Sequence, residues 1–91
     1  MVYIFAVHMI PGGSGHEHIA KVKWKNPDNG KQGESTCSVM VNYITNQNGA
    51  VYVCGGHAHI ARVGVVSGNP PYLRTYADGA WSDNLLALPK Y

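Results

Sequence analysis

Hydrophobic and polar positions alternate with a period of two along most of this chain, and with a helical period only once. From His18 to Lys25, Ala20, Val22 and Trp24 fall on one side, and Ile19, Lys21, Lys23 and Lys25 fall on the other. A period of two with lysines on one side predicts a strand that buries one face and wets the other. Val2 to Ile10 is apolar on both sides and rich in β-branched and aromatic residues, which predicts a central or doubly covered strand. Ala50–Cys54 and His57–Val66 are two further β-rich runs around Gly55-Gly56, a hairpin pattern. In the second run His59, Ala61, Val63 and Val65 share one side, and Ile60, Arg62, Gly64 and Val66 share the other. Tyr72 to Tyr76 is the last full strand of the pattern.

The helical period appears at Val39, Met40, Tyr43 and Ile44, which form one apolar stripe. Ser35 or Thr36 can cap its first amides, and Asn48-Gly49 supplies a left-handed stop, so a helix is expected at about 36–47. Between these elements Pro11-Gly12-Gly13-Ser14-Gly15 reads as a flexible loop. Asn26 to Gly30 reads as a tight turn that either closes a hairpin or leads to the next element. After Ala77-Asp78-Gly79, Ser82 or Asp83 caps a short helical turn or bent segment through Leu88, stopped by Pro89. The expected fold is α+β: a small, mainly antiparallel sheet, in the order β-β-α-β-β-β along the chain, with one helix packed across one face.

Composition narrows this further. Ninety-one residues give room for one domain spanning 1–91, with a modest core that leaves a homodimer open. A charged fraction of 13% against a typical ~25%, with 11 glycines, suits strands and turns and not a helical bundle. A net charge of +2 is too mild to argue for nucleic acid by itself. The apolar start lacks a basic leader and is interrupted by His8, and there is no run of ~20 apolar residues. These features point to a cytoplasmic protein with no membrane association, in which Cys37 and Cys54 stay as thiols.

Several groupings carry candidate chemistry. His16 and His18 are two apart, as are His57 and His59. If each pair lies on a strand, both rings project from one face, and two pairs could offer four imidazoles to a zinc-like ion. Histidines at the edges of glycine-rich turns explain the same pattern without a metal, so no metal ligand and no cofactor is assigned. Cys37 at a helix start would have its thiolate favoured by the helix dipole, but no residue orients a base beside it, and two small buried apolar side chains is the better reading of the cysteines. Lys21, Lys23 and Lys25 could meet phosphates or an acidic partner, or could simply guard a sheet edge. In the last stretch, Arg74 can pair with Asp78 or Asp83 and Leu85, Leu86 and Leu88 look like core, so folding accounts for each residue. Alternatively Tyr72, Arg74 and Thr75 line an anion pocket with Tyr76 and Trp81 available for stacking.

The motif Tyr72-Leu73-Arg74-Thr75, the short acidic turn, and Ser82-Asp83-Asn84-Leu85-Leu86 before Leu88-Pro89 resemble the closing signature of a family of small bacterial and phage proteins catalogued as domain of unknown function 3892. Upstream, Gly15-His16-Glu17-His18-Ile19-Ala20 before a strand ending at Trp24, the Glu34-Ser35-Thr36 helix entry and the Asn48-Gly49 to Tyr52-Val53 passage are similar to the family's order of elements. Cys37 and the histidine-rich Gly55–His59 hairpin depart from it. The resemblance implies size and fold and carries no activity.

With no catalytic carboxylate pair, Ser-His-acid set or phosphate loop in the sequence, the expectation is a non-enzymatic binding or regulatory protein that docks to a partner, such as an inhibitor of a bacterial defence system. A protein partner leads, with a nucleotide or nucleic acid second. The alternatives are a nucleotide-binding sponge or sensor, and a histidine-based metal protein or hydrolase. The candidate binding residues are His16, His18, Lys21, Lys23, Lys25, His57, His59, Tyr72, Arg74 and Trp81. Function is expected in the Gly12–His18 loop, the lysine face and the Gly55–His59 hairpin, so that His16, Lys21 and Lys23 can be substituted without unfolding the protein.

Overall fold

A computed structural model describes residues 1–54, 60–77, 80–82 and 85–91, with the backbone alone for 54, 60, 77 and 80–82. The lysine-bearing alternation forms strand β2 (Ile19–Asn26), and the apolar start forms β1 (Val2–Met9) beside it. The Asn26–Gly30 turn closes a hairpin: the Asp28 amide donates to Asn26 Oδ1 at 3.0 Å, the Lys31 amide to Asn29 Oδ1 at 2.9 Å, and Gly30 takes φ +71°. The turn delivers β3 (Lys31–Thr36), which the hydrophobic pattern did not reveal because Lys31-Gln32-Gly33-Glu34-Ser35-Thr36 contains no apolar side chain. Such a strand is held by backbone pairing to β2 and suits a sheet edge.

Helix α1 (Cys37–Asn46) begins where expected. Thr36 is its cap, its Oγ1 accepting from the Val39 amide at 3.3 Å. The stop is made by Asn48 at φ +52°, and the Gly49 amide donates to Tyr43 O at 2.9 Å. Gly49 is needed for closeness: a Cβ there would lie 2.2 Å from the Tyr43 ring. Strands β4 (Val51–Cys54), β5 (Ile60–Val66), β6 (Tyr72–Ala77) and the short β7 (Ala80–Ser82) follow. The sheet runs β3-β2-β1-β4-β5-β6-β7; the β1–β4 pair, joined across α1, is parallel and every other pair is antiparallel. The fold is therefore the expected α+β arrangement, enlarged by β3 and β7. The expected Gly55-Gly56 and Asp78-Gly79 turns and the Asp83 cap lie outside the described residues.

The helix lies against β2, β3, β5 and β6, and the core fills the space between. Val2, Ile4, Val7, Val22, Met40, Val51, Val53, Val63, Leu73, Leu85 and Leu88 form one buried cluster, with Val39 left exposed on the outer side of the helix. Two irregularities in the β1–β2 register, at Phe5 and between His8 and Met9, adjust which residues face inward. The second turns Ile19 into the core (3% exposed), although its parity in the sequence groups it with the lysines.

The leucines expected in the core are found there. Leu85 and Leu88 are buried, Leu86 is partly so, and the chain then rejoins the sheet beside β1. There the Val7 amide donates to Pro89 O at 3.0 Å and the Tyr91 amide to Val7 O at 3.2 Å. Pro89–Tyr91 thus occupies the flank of β1 beyond its pairing with β4, which ends at Ile4↔Val53. No helix among the described residues is long and apolar enough to cross a membrane.

Candidate functional site on the open face of the sheet

Because side chains alternate across a strand, the residues between the core positions point away from the helix. On β4 and β5, Val51, Val53 and Val63 face the core, which sends Tyr52 and Arg62 to the other side; on β6, buried Leu73 and Thr75 do the same for Arg74 and Tyr76. The register then aligns them. Lys25 pairs with Tyr3, Tyr3 with Tyr52, Tyr52 with Arg62, Arg62 with Tyr76, and Tyr76 with Trp81. One row of aromatic and cationic positions therefore crosses the sheet at right angles to its strands. The Tyr3 and Tyr52 rings are 5.9 Å apart and tilted by 35°, Arg62 is exposed, and Tyr76 is 46% exposed. For Trp81 only the backbone position is described.

Beside this row the lysine strand carries a small polar network. Lys21 Nζ lies 3.6 Å from Glu34 Oε1 on β3, and Lys23 Nζ sits 4.5 Å above the Tyr91 ring. The Tyr91 phenol donates to Glu34, which holds that carboxyl below its ordinary value, with Lys21 and Lys23 acting in the same direction. Burial pushes the Tyr91 phenol up to about 12, and the bond to Glu34 adds to the shift. The Tyr91 ring also lies 5.3 Å from the His8 ring, tilted by 46°, and His8 Nδ1 contacts Tyr91 O. Phe5, 38% exposed, joins Lys23, Gln32 and Glu34 around a shallow hollow on the same side.

The sequence-derived candidates divide accordingly. Lys21, Lys23, Lys25 and Arg74 stand on the open face. The lysines' strand β2 is flanked by β1 and β3, so they are not a guard at the sheet edge; polar β3 has that place. His16 and His18 do not lie on a strand and do not share a face. They belong to a single 3-10 turn, His16–His18, in which His16 is buried at 8% exposure. His18 Nδ1 accepts from the Ser14 and Gly15 amides at 3.0 Å each, and Gly13 packs so tightly that a Cβ there would fall 2.5 Å from His18 Cβ. The glycine-rich loop is thus closed around His18, and because His16 is buried its substitution is expected to cost packing.

Among the described residues no group of three or more His, Cys, Asp or Glu side chains is placed to hold a metal ion. His57 and His59 lie outside the described residues. Tyr72 borders a separate hollow of about 610 Å3 at the end of the sheet, with Glu17, Ala20, Ser38, Val41 and Pro71. Thr75 is fully buried, which removes it from any surface pocket. Cys37 is a free, half-buried thiol, and burial pushes it above its ordinary value; the dipole effect considered for it does not prevail.

Tyr3, Tyr52 and Arg62 were not singled out from the sequence. Each strand's parity places them opposite the valines, but the row exists only once the register is known. The site thus belongs to an open-faced α+β module, with a sheet backed by one helix and presenting its other side outward. The chain belongs to the family described as protein of unknown function DUF3892, whose model matches residues 3–89, in agreement with the resemblance carried by its closing motif. No curated protein and no solved structure matches it.

Proposed function

We propose that the protein is a non-enzymatic binding module that docks an anionic partner through the open face of its sheet. The observation that carries this reading is the cross-sheet row Lys25–Tyr3–Tyr52–Arg62–Tyr76. Five of the seven Lys and Arg residues (Lys21, Lys23, Lys25, Arg62 and Arg74) stand on this face, and of the described acidic residues only Glu34 joins them. A mild overall charge of +2 is thereby concentrated on one side, where it can steer an anion. The aromatics between the cations, Tyr76 exposed and Tyr3 and Tyr52 partly so, add flat apolar area of the kind that anchors interfaces.

Among the described residues, the groups that catalysis would draw on are engaged in structure. His18 Nδ1 accepts two backbone amides, His16 is buried, and the Cys37 thiol is raised by its surroundings. That supports docking over the histidine-based metal reading. The proposal includes a cytoplasmic setting, supported by Cys37 being held as a free thiol.

The test is retention on a heparin column, a generic polyanion. Lys25→Glu combined with Arg62→Glu is expected to elute at clearly lower salt with unchanged circular dichroism, because exposed substitutions of this kind typically alter stability by only ~0.5 kcal/mol. Lys31→Glu, on the helix side of β3, is the control and should shift retention much less. Equal retention of the folded double variant and the wild type would contradict the proposal.

A further inference from the structure

The open face also indicates the chemistry of its occupant. We infer that it binds single-stranded nucleic acid, with bases stacked along the row of tyrosines and phosphates held by the flanking cations; this rests on the docking reading above and narrows it. The row offers rings from three different strands, Tyr3 on β1, Tyr52 on β4 and Tyr76 on β6, with Arg62 between the last two. Neighbouring strands lie ~4.8 Å apart, so the path from Tyr3 to β7 covers about 19 Å. That length suits a few nucleotides, at the low end of the ~4–16 that an OB fold occupies.

Cations lie on both sides of the row. In the register, Lys23 and Lys21 follow Lys25 in the direction in which β1 runs, beside Ala6 and His8, whereas Arg74 lies in the opposite direction, opposite Gly64. A chain that crosses the strands meets a ring or a positive charge at each of them, the alternation that sequence-tolerant single-strand binding requires. An open sheet backed by helix, with aromatics on its inner strands, is also a general solution for stacking unpaired bases.

Other occupants fit less well. Duplex DNA takes an α-helix or a two-stranded ribbon into a major groove ~12 Å wide, and a face of seven strands is too broad to enter it. A two-fold dimer through this face would set the same patch against itself. The cations Lys21, Lys23, Lys25, Arg62 and Arg74 would then face the same set of cations on the other copy, with Glu34 the one described acidic side chain on each side. An acidic protein could satisfy the cations, but rings one and two strands apart call for flat partners repeated along a flexible chain, which unstacked bases supply.

The experiment is fluorescence anisotropy with labelled poly-dT and poly-U of about fifteen nucleotides and a duplex of the same length, in roughly 50 and 200 mM salt. At least tenfold tighter binding of a single strand than of the duplex is expected, and the two single strands decide between DNA and RNA. Tyr76→Ala should weaken binding by roughly 5- to 150-fold, the loss of one base–aromatic stack, while Tyr76→Phe retains it. Arg62→Ala should reduce the slope of log K against log salt by about 0.7, the share of one phosphate contact on a single strand. Undetectable binding of both oligonucleotides overturns the inference, as does equal binding of the duplex or indifference to Tyr76→Ala when the variant is folded. If heparin retention still depends on Lys25 and Arg62 in that event, docking stands and the anion is of another class; if neither polyanion responds, both readings fall.

Discussion

At the scale of single residues, Tyr91 shows how one side chain organises several others. Its ring lies under the Lys23 ammonium and beside His8, and its phenol is bonded to Glu34. The consequences for pH have opposite signs at the two ends of the scale. Glu34 titrates below its ordinary value when folded, so its contribution is complete above the unfolded value and is lost as pH falls through the lower folded one. The Tyr91 phenol is raised from 10.0 to about 12, so its contribution is complete below pH 10 and is lost as pH rises toward 12. Ultraviolet titration of the tyrosines should therefore show a component with a midpoint near 12 that moves down in Glu34→Gln. A titration that Glu34→Gln leaves unchanged would mean that the Glu34 charge does not act on the Tyr91 phenol. No position in the sequence announces this pair, because its members are 57 positions apart and only the return of Pro89–Tyr91 to β1 brings them together.

At the scale of elements, legibility follows how each element is stabilised. Elements held by apolar burial leave a pattern: β1, β2, β5 and α1 were readable, and the helix cap at Thr36 was one of the two residues expected. β3 left none, because a polar edge strand is fixed by its ladder to β2 and by the Asn26–Gly30 turn. The parity of Ile19 misled for a different reason, since a bulge changes the face of a residue without changing its neighbours in sequence. Folding accounts for most of the segment 72–89, whose residues divide between the two faces: Leu85 and Leu88 are buried in the core, while Tyr76 stands in the outward row.

The leucines are the part of that segment that folding depends on. Leu85→Ala should cost about 2–5 kcal/mol, measured by urea denaturation, because the side chain is fully buried within the cluster that includes Val7 and Leu73. A loss under ~1 kcal/mol would show that the segment packs only loosely against the sheet. In a chain of 91 residues, a loss at the upper end of that range would remove much of a typical stability.

At the scale of the whole molecule, the division is between a face that builds the protein and a face that meets its surroundings. The helix side holds the cluster from Val2 to Leu88, and the open side holds the row and five of the seven cations. The sequence pointed to Lys21, Lys23 and Lys25 but also to the Gly12–His18 loop, where the structure shows a histidine closing its own turn. Strand order and register lie beyond what one strand's pattern can express, and they are what turn scattered tyrosines into a continuous surface. The most direct test of that surface is the set of amide chemical-shift changes in nitrogen-15-labelled protein on addition of the poly-dT or poly-U oligonucleotide. The largest changes are expected on Tyr3, Lys25, Tyr52, Arg62 and Tyr76. Changes centred instead on α1 or on the hollow beside Tyr72, or no changes at all, would contradict it.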